Sequence, residues 1–418
     1  MKEENKLKLL NRLLKSCRNS SFYRSRIPDK DLNSLDELKQ LPITTKEDTR
    51  DNSPYGFVCV PREELCQYHE TFGTTGVPVS TWLCSEDVLD LARRVNDSGI
   101  NFSDKDMVLI RFPYAISTVA HFVHNAAQMQ GACVIPASSR TTVTPYTRVV
   151  NLMKKLDVTV LAALPTQAVL IAETAELMGL DPGKDFPALR AIYTAGEAMT
   201  PNRRKVIKSL WKVALSDNYG MTEFGPAVTD CEYEVPHPLQ DSYVFEILED
   251  DLKTDVKPGT AGNLVVTTLT RRATPLIRYL TGDMARLYRK DCPCGREEVM
   301  EIRGRRADNI DIGGRTFDIW DLGEIVSELP CRRFWAAGRW KDTLKFVVEE
   351  ENPGDTVSGG FIGRMQAKYG VKLSFEIVPK GTLYDRGELL SVGVVGKPKY
   401  IYTEEEMEKK AYFKSSKS

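Results

Sequence analysis

The chain has no long apolar run, almost no net charge, and neither of the two glycine signatures most used to hold nucleotides. Over 418 residues, 57 Lys and Arg face 58 Asp and Glu, leaving a net charge of −1 with both signs interspersed. That balance gives no electrostatic reason to expect nucleic acid or an anionic membrane as a partner. The most apolar stretch, Val158 to Ala172, is interrupted by Pro165, Thr166 and Gln167 and is too short to span a bilayer. Met1 to Arg18 lacks the uninterrupted apolar stretch of a signal peptide, and its Leu7, Leu10, Leu14 and Cys17 recur at the spacing of an amphipathic surface helix. No Lys-Ser or Lys-Thr pair follows a glycine at P-loop spacing, and no Rossmann glycine fingerprint is present. A P-loop ATPase and a typical dehydrogenase are thereby excluded. The nine cysteines are odd in number and mostly isolated, which fits reduced thiols and a cytoplasmic setting and not a disulfide framework.

What is present is a chain long enough for more than one core, with strand-like and helical stretches alternating from about residue 55 to 220. Val158–Leu164 and Ala191–Ala195 read as buried strands, and the segments Gly196-Glu197 and Tyr219-Gly220 read as loops following such strands. Four short segments then stand in a fixed order: Phe72-Gly73-Thr74-Thr75-Gly76, Tyr219-Gly220-Met221-Thr222-Glu223, Tyr279-Leu280-Thr281-Gly282-Asp283 and Gly304-Arg305. The first suits phosphate, since two glycines let backbone amides approach an anion and two threonines add hydroxyl donors. The second offers an aromatic face, a hydroxyl and a carboxylate fit for Mg²⁺. The third ends in an aspartate able to accept from a ribose diol, and the fourth brings a guanidinium to phosphate. Each alone is an ordinary turn or surface segment; together they describe one nucleotide site built from distant parts of the chain.

Further stretches carry a family likeness: Ser21-Phe22-Tyr23-Arg24, Leu41-Pro42-Ile43-Thr44-Thr45-Lys46-Glu47-Asp48, Pro54-Tyr55-Gly56, and Cys292-Pro293-Cys294-Gly295-Arg296. With the four ordered segments they resemble the adenylate-forming ligases, and within them the phenylacetate-CoA ligase branch, over about residues 20 to 400. The resemblance implies an α/β fold: a large N-terminal multi-layer α/β domain with a β-rich subdomain, and a small mobile α+β lid. It sets the adenylation core at 1–305 and the C-terminal lid at 306–418. It also implies attack of a carboxylate on the α-phosphate of ATP, followed by transfer of the acyl group to a thiol. Gly73, Thr74, Thr75 and Gly76 would hold the β- and γ-phosphates, Thr222 the α-phosphate and Glu223 the magnesium. Gly196, Glu197, Asn218 and Tyr219 match the adenine segments, while Asp283 and Arg305 match the ribose and phosphate contacts. The closing lysine would be Lys397, which follows a glycine as the family's lysine does, with Lys399 second.

Three departures from the family stand out. Thr71-Phe72 replaces a Ser-Ser pair, Val77 stands where the phosphate loop usually has a lysine, and Ala307 occupies the hinge aspartate position beside Asp308. Gly313-Gly314 keeps the glycines that let a pantetheine arm pass. Cys231-x₅-His237 and Cys292-x-Cys294 supply three thiolates and an imidazole, a set that suits structural Zn²⁺. Phe112, Pro113, Tyr114, His121, Phe122 and Met129, with Tyr219 and Gly220, lie where the family builds its acyl pocket and suit an aromatic acid. His69, just before the phosphate loop, reads as a packing or hydrogen-bonding residue. The expectation is therefore an acid–thiol ligase using ATP (leaving AMP), Mg²⁺ and CoA. Loading of an acyl carrier protein's phosphopantetheine, adenylation of a non-carboxylate acceptor, and a degenerate zinc-stabilised nucleotide-binding protein are the alternatives; a homodimer is left open.

Overall fold

A computed structural model describes residues 3–71, 77–139, 141–387 and 399–409. The chain enters through helix α1 (Glu3–Cys17), whose Leu10, Leu13, Leu14 and Cys17 are buried along one stripe, with Glu3 and Glu4 at its positive end. Helix α2 (Lys46–Asp51) starts at a capping box in which Thr45 and Asp48 satisfy each other's backbone amides. A hairpin of β1 (Leu65–Glu70) and β2 (Ser80–Cys84) flanks the predicted phosphate loop, and α3 (Ser85–Asn96) follows directly.

The centre of the molecule is a seven-stranded sheet. Its strands are β3 (Met107–Ile110), β4 (Cys133–Pro136), β5 (Val160–Ala163), β6 (Ala191–Ala195), β7 (Ala214–Met221), β8 (Gly225–Asp230) and β9 (Pro236–Pro238). They lie in the order 4-3-5-6-7-8-9, the first five parallel and the last two antiparallel. Between them run α4 (Val119–Met129), α5 (Tyr146–Lys155), α6 (Pro165–Leu177) and α7 (Pro201–Trp211). Alternate residues serve opposite faces, as strand geometry requires. Leu109, Leu161 and Ile192 pack with α5, α6 and α7, whereas Val108, Ile110, Val160 and Tyr193 pack with α3 and α4. Helix α6 is buried from Pro165 to Ala175, so the apolar run read as strand then helix is a central layer.

One detail differs from the sequence reading. Tyr219-Gly220 is not loop; it is the end of β7, which runs past the parallel sheet and pairs antiparallel with β8. The turn is tight, since a Cβ on Gly220 would lie 2.4 Å from the Gly225 carbonyl oxygen.

A second sheet holds β10 (Tyr243–Leu248), β11 (Ala261–Thr268), β12 (Tyr279–Arg289) and β13 (Glu298–Arg305) in sequential antiparallel order. Its inner face shares a core with α1, Phe224 and Val228. The chain then forms a hairpin, β14 (Ile310–Ile312) and β15 (Arg315–Phe317), and helix α8 (Ile319–Ser327). A four-stranded sheet follows, made of β16 (Trp335–Trp340), β17 (Thr343–Glu349), β18 (Lys372–Val378) and β19 (Ile401–Tyr402), with α9 (Gly359–Tyr369) against it.

This last unit has its own core around Phe317, Ile325 and Phe346, yet Phe334, Ala336, Val347 and Tyr384 join the core of α6 and α7. Charge ties the two parts as well. Glu173 on α6 is 1% exposed and faces Arg333 at 2.7 Å, Lys380 at 3.3 Å and Arg386 at 3.3 Å, all three from the C-terminal unit. Arg386 also reaches Glu349 at 2.5 Å. Breaking one side of a buried ion cluster leaves uncompensated charge, at a cost of about 3 kcal/mol. Glu173→Gln is expected to lower unfolding stability by about that amount in urea denaturation. A change under about 0.5 kcal/mol, the range of surface substitutions, would show that the cations do not depend on it.

Candidate functional site

The two sheets are joined by a reciprocal pair of hydrogen bonds. Tyr219, at the end of β7, donates its hydroxyl to Asp283 Oδ2 on β12 at 2.7 Å. Tyr279, at the start of β12, donates to Glu223 Oε1 just beyond β7 at 3.1 Å. Burial, and then the facing carboxylate, hold both phenols well above their ordinary range, so they stay protonated donors. Glu223 is itself buried, with Lys46 Nζ 3.7 Å from the same oxygen. On the neighbouring strand Arg305 is in register with Asp283. Gly304 beside it sits at φ 93°, and a Cβ there would come within 2.9 Å of Ile319, so only glycine lets β13 end this way.

The carboxyl ends of the parallel strands supply the other predicted residues. Asn218 lies beside Ala195 in the β6–β7 register, which brings it next to Gly196. Glu197 Oε2 accepts from the Thr166 amide at 3.0 Å and the Thr166 hydroxyl at 2.8 Å. Thr166 in turn meets the Tyr400 hydroxyl at 2.6 Å, and Tyr400 also accepts from Arg203 at 2.6 Å. Gly196, Glu197, Asn218, Tyr219, Thr222, Glu223, Asp283 and Arg305 thus gather around one sheet edge. Gly73, Thr74, Thr75, Gly76 and Lys397 lie outside the described residues. Lys399, the second choice for the closing lysine, pairs with Glu406 at 2.5 Å.

The predicted acyl-pocket residues fall in two groups. Phe112 and Phe122 are buried in the core, Phe112 edge-on to Tyr193, while Met129 is exposed at the end of α4. Tyr114 and His121 belong to a polar cluster that sequence reading did not foresee. His121 Nε2 meets the Tyr114 carbonyl at 2.9 Å, the Tyr114 hydroxyl meets His124 at 3.1 Å, and the His121 ring stands 5.2 Å from His69. The only sequence signal was three of the four histidines near the phosphate loop and α4. Burial, then the neighbouring His121, pushes His69 down to about 4.

Cys231, His237, Cys292 and Cys294 bring their donor atoms within 4.8 Å of one another. The two sulfurs of Cys231 and Cys292 are 3.6 Å apart, and Cys294 Sγ is 3.3 Å from His237 Nε2. The other imidazole nitrogen, Nδ1, donates to the Glu298 carbonyl at 2.6 Å, the arrangement that orients metal-binding histidines. Gly313 and Gly314 turn the β14–β15 hairpin and, with Asp311, Arg315 and Arg339, line a surface cavity of about 440 Å³. Among the described residues no helix is long and apolar enough to cross a membrane.

The AMP-binding enzyme family model matches residues 24–269. The phenylacetate-coenzyme A ligase of Thermus thermophilus is 31% identical over 306 residues, 70% of this chain and 67% of that protein. The Pseudomonas putida enzyme of the same name is 32% identical over 311 residues, 71% of this chain and 68% of that one. The chain belongs to the AMP-binding enzyme family, in the phenylacetate-CoA ligase-like branch of the adenylate-forming superfamily. Its fold is that of 2-hydroxyisobutyryl-CoA ligase. In that ligase's postadenylation state the TM-score is 0.84 at 20% identity, over 97% of this chain and 90% of the other. Against the same ligase in its thioesterification state the TM-score is 0.69.

A pH prediction follows from His69. Its folded value lies below the ordinary 6.5, so the stability it contributes is full above 6.5 and is lost as pH falls through about 4. His69→Gln is expected to flatten the decline of the thermal midpoint between pH 6.5 and 4. An unchanged slope in that window would contradict burial of a neutral imidazole.

Proposed function

We propose that the protein is an ATP-dependent ligase that adenylates a carboxylic acid, an aromatic one, and passes the acyl group to CoA. What supports the reading most is the convergence of the Tyr219, Glu223 and Asp283 segments through the two tyrosine–carboxylate bonds. Relatives named as phenylacetate-CoA ligases support the substrate class. In the first step a carboxylate oxygen bonds to the α-phosphorus while the bond to the bridging oxygen of the β-phosphate breaks, releasing pyrophosphate. In the second, the thiol gives its proton to solvent and its sulfur bonds to the acyl carbon. The carbon–oxygen bond to AMP breaks.

Such chemistry asks chiefly for positioning and for compensation of phosphate charge. Gly196, Glu197, Asn218 and Tyr219 would bind adenine, and Asp283 and Arg305 the ribose side. Thr222 would meet the α-phosphate, and Gly73, Thr74, Thr75 and Gly76 the outer phosphates. Glu223 fits a hard cation, being a buried carboxylate whose Oε1 meets, among the described residues, a phenol and an ammonium. It would hold Mg²⁺, which when bound neutralises phosphate charge. Residues 1–305 would form the adenylation core and 306–418 a lid that delivers Lys397. The different TM-scores against two states of one ligase support a movable C-terminal unit. Arg315 and Arg339 beside the Gly313-Gly314 turn favour phosphate-bearing CoA over a carrier protein as acceptor. A cytoplasmic location accords with nine free cysteines.

Isotope exchange between pyrophosphate and ATP, screened over aromatic and aliphatic acids, tests the activity. Exchange with one aromatic acid is expected, and Lys397→Ala is expected to reduce it about a hundredfold, the loss of a pre-aimed charge. Silence across the whole panel would refute the ligase reading.

Structural zinc is part of the same proposal. A tetrahedron with bonds of about 2.3 Å fits donors this close, and all four are protein atoms. The ion would clamp the loop after β8 to the turn before β13. Metal analysis is expected to find one zinc per chain, and Cys294→Ser to lose it with a lower thermal midpoint. A full-length preparation without zinc, yet equally stable to chelator, would remove this assignment.

A further inference from the structure

The Thr44-Thr45-Lys46-Glu47-Asp48 stretch marked the family likeness but received no role there. We infer that Lys46 meets the β- and γ-phosphates of ATP, in place of the loop lysine whose position is held here by Val77. This rests on the nucleotide site proposed above.

Position is the first ground. Lys46 Nζ stands 3.7 Å from Glu223 Oε1, and Glu223 is the carboxylate that would hold the cation bridging those phosphates. The Lys46 side chain is 31% exposed against 2% for Glu223, so its ammonium sits at the mouth of the buried acid, where a ligand can reach it.

Fixation is the second. Thr44 forms a parallel bridge with Tyr279, its amide donating to the Arg278 carbonyl at 2.9 Å and its carbonyl accepting from Leu280 at 2.9 Å. Its hydroxyl donates to the Ile277 carbonyl at 2.7 Å. Arg278, buried against Glu246, donates to the carbonyls of Lys39 and Leu41 at 2.6 Å each. The capping box of Thr45 and Asp48 then sets the first turn in which Lys46 stands. The backbone carrying Lys46 is therefore stitched to the very strand that carries Tyr279 and Asp283. A lysine held this way is a pre-placed charge and not a free surface side chain.

Elimination is the third. Val77 is 63% exposed and carries no charge. Arg271 also reaches Glu223, but it donates to the backbone carbonyl at 3.3 Å and is itself 2% exposed, closed off from a ligand. Arg305 lies opposite Asp283, at the ribose end. Among the described residues, Lys46 is the cation that pairs with the Glu223 carboxylate.

Calorimetric titration of the full chain with α,β-methylene-ATP and with AMP, each in Mg²⁺ buffer, tests this without any turnover. Lys46→Met is expected to bind the ATP analogue roughly tenfold to a hundredfold more weakly, as loss of a charge-assisted contact implies, and AMP as wild type does. Lys46→Arg is expected to recover part of the analogue's affinity. Equal affinity of wild type and Lys46→Met for the analogue would overturn the inference and leave the ligase reading standing. Parallel loss for analogue and AMP would also overturn it, by making Lys46 a support for the fold. Failure of wild type to bind either nucleotide would sink the proposed function, and this inference with it.

Discussion

Two tyrosines, each bonded to a carboxylate on the other's sheet, hold the candidate site together. Tyr219 reaches from the central sheet to Asp283, and Tyr279 reaches back from the second sheet to Glu223. A hydrogen bond to a charged group contributes about 1.5–3 kcal/mol; the Tyr279–Glu223 bond is buried and the Tyr219–Asp283 bond half-buried. The reciprocal arrangement constrains separation and rotation at once, alongside the core that the sheets share around Phe224 and Val228. Among the described residues, Asn218 and Gly196 are placed relative to this pair through the β6–β7 register, and Arg305 through the β12–β13 register.

The C-terminal unit is attached by a different kind of force. Glu173 draws Arg333, Lys380 and Arg386 onto α6, and Tyr400 touches Thr166, which holds Glu197. Ion pairs and hydrogen bonds can be exchanged for water without tearing open a core, although Phe334 and Tyr384 also pack against α6 and α7. A lid that moves between two reactions would have to release this cluster.

Much of this could be read from the sequence, because the decisive signals were local. Ala191–Ala195 was legible as a buried strand, and Glu3–Cys17 as an amphipathic helix, since period-2 and 3.6-residue patterns are carried by neighbouring residues. The clustering of Cys231, His237, Cys292 and Cys294 was legible because three thiols and an imidazole form a set with few other uses, although 61 residues separate Cys231 from Cys292. Tyr219-Gly220 was misread as loop because the hairpin to β8 depends on pairing across a turn, which periodicity does not show. The histidine cluster and the nearness of Lys46 to Glu223 were invisible for the same reason: both arise from segments far apart in sequence, joined only by tertiary packing.

A crystal structure of the full chain with α,β-methylene-ATP and Mg²⁺ tests the central claim most directly. The ribose is expected on Asp283, with the outer phosphates between Glu223 and the 72–76 segment and both tyrosine–carboxylate bonds intact. A nucleotide seated elsewhere, or Tyr219 and Tyr279 parted from their carboxylates with the nucleotide in place, would contradict it.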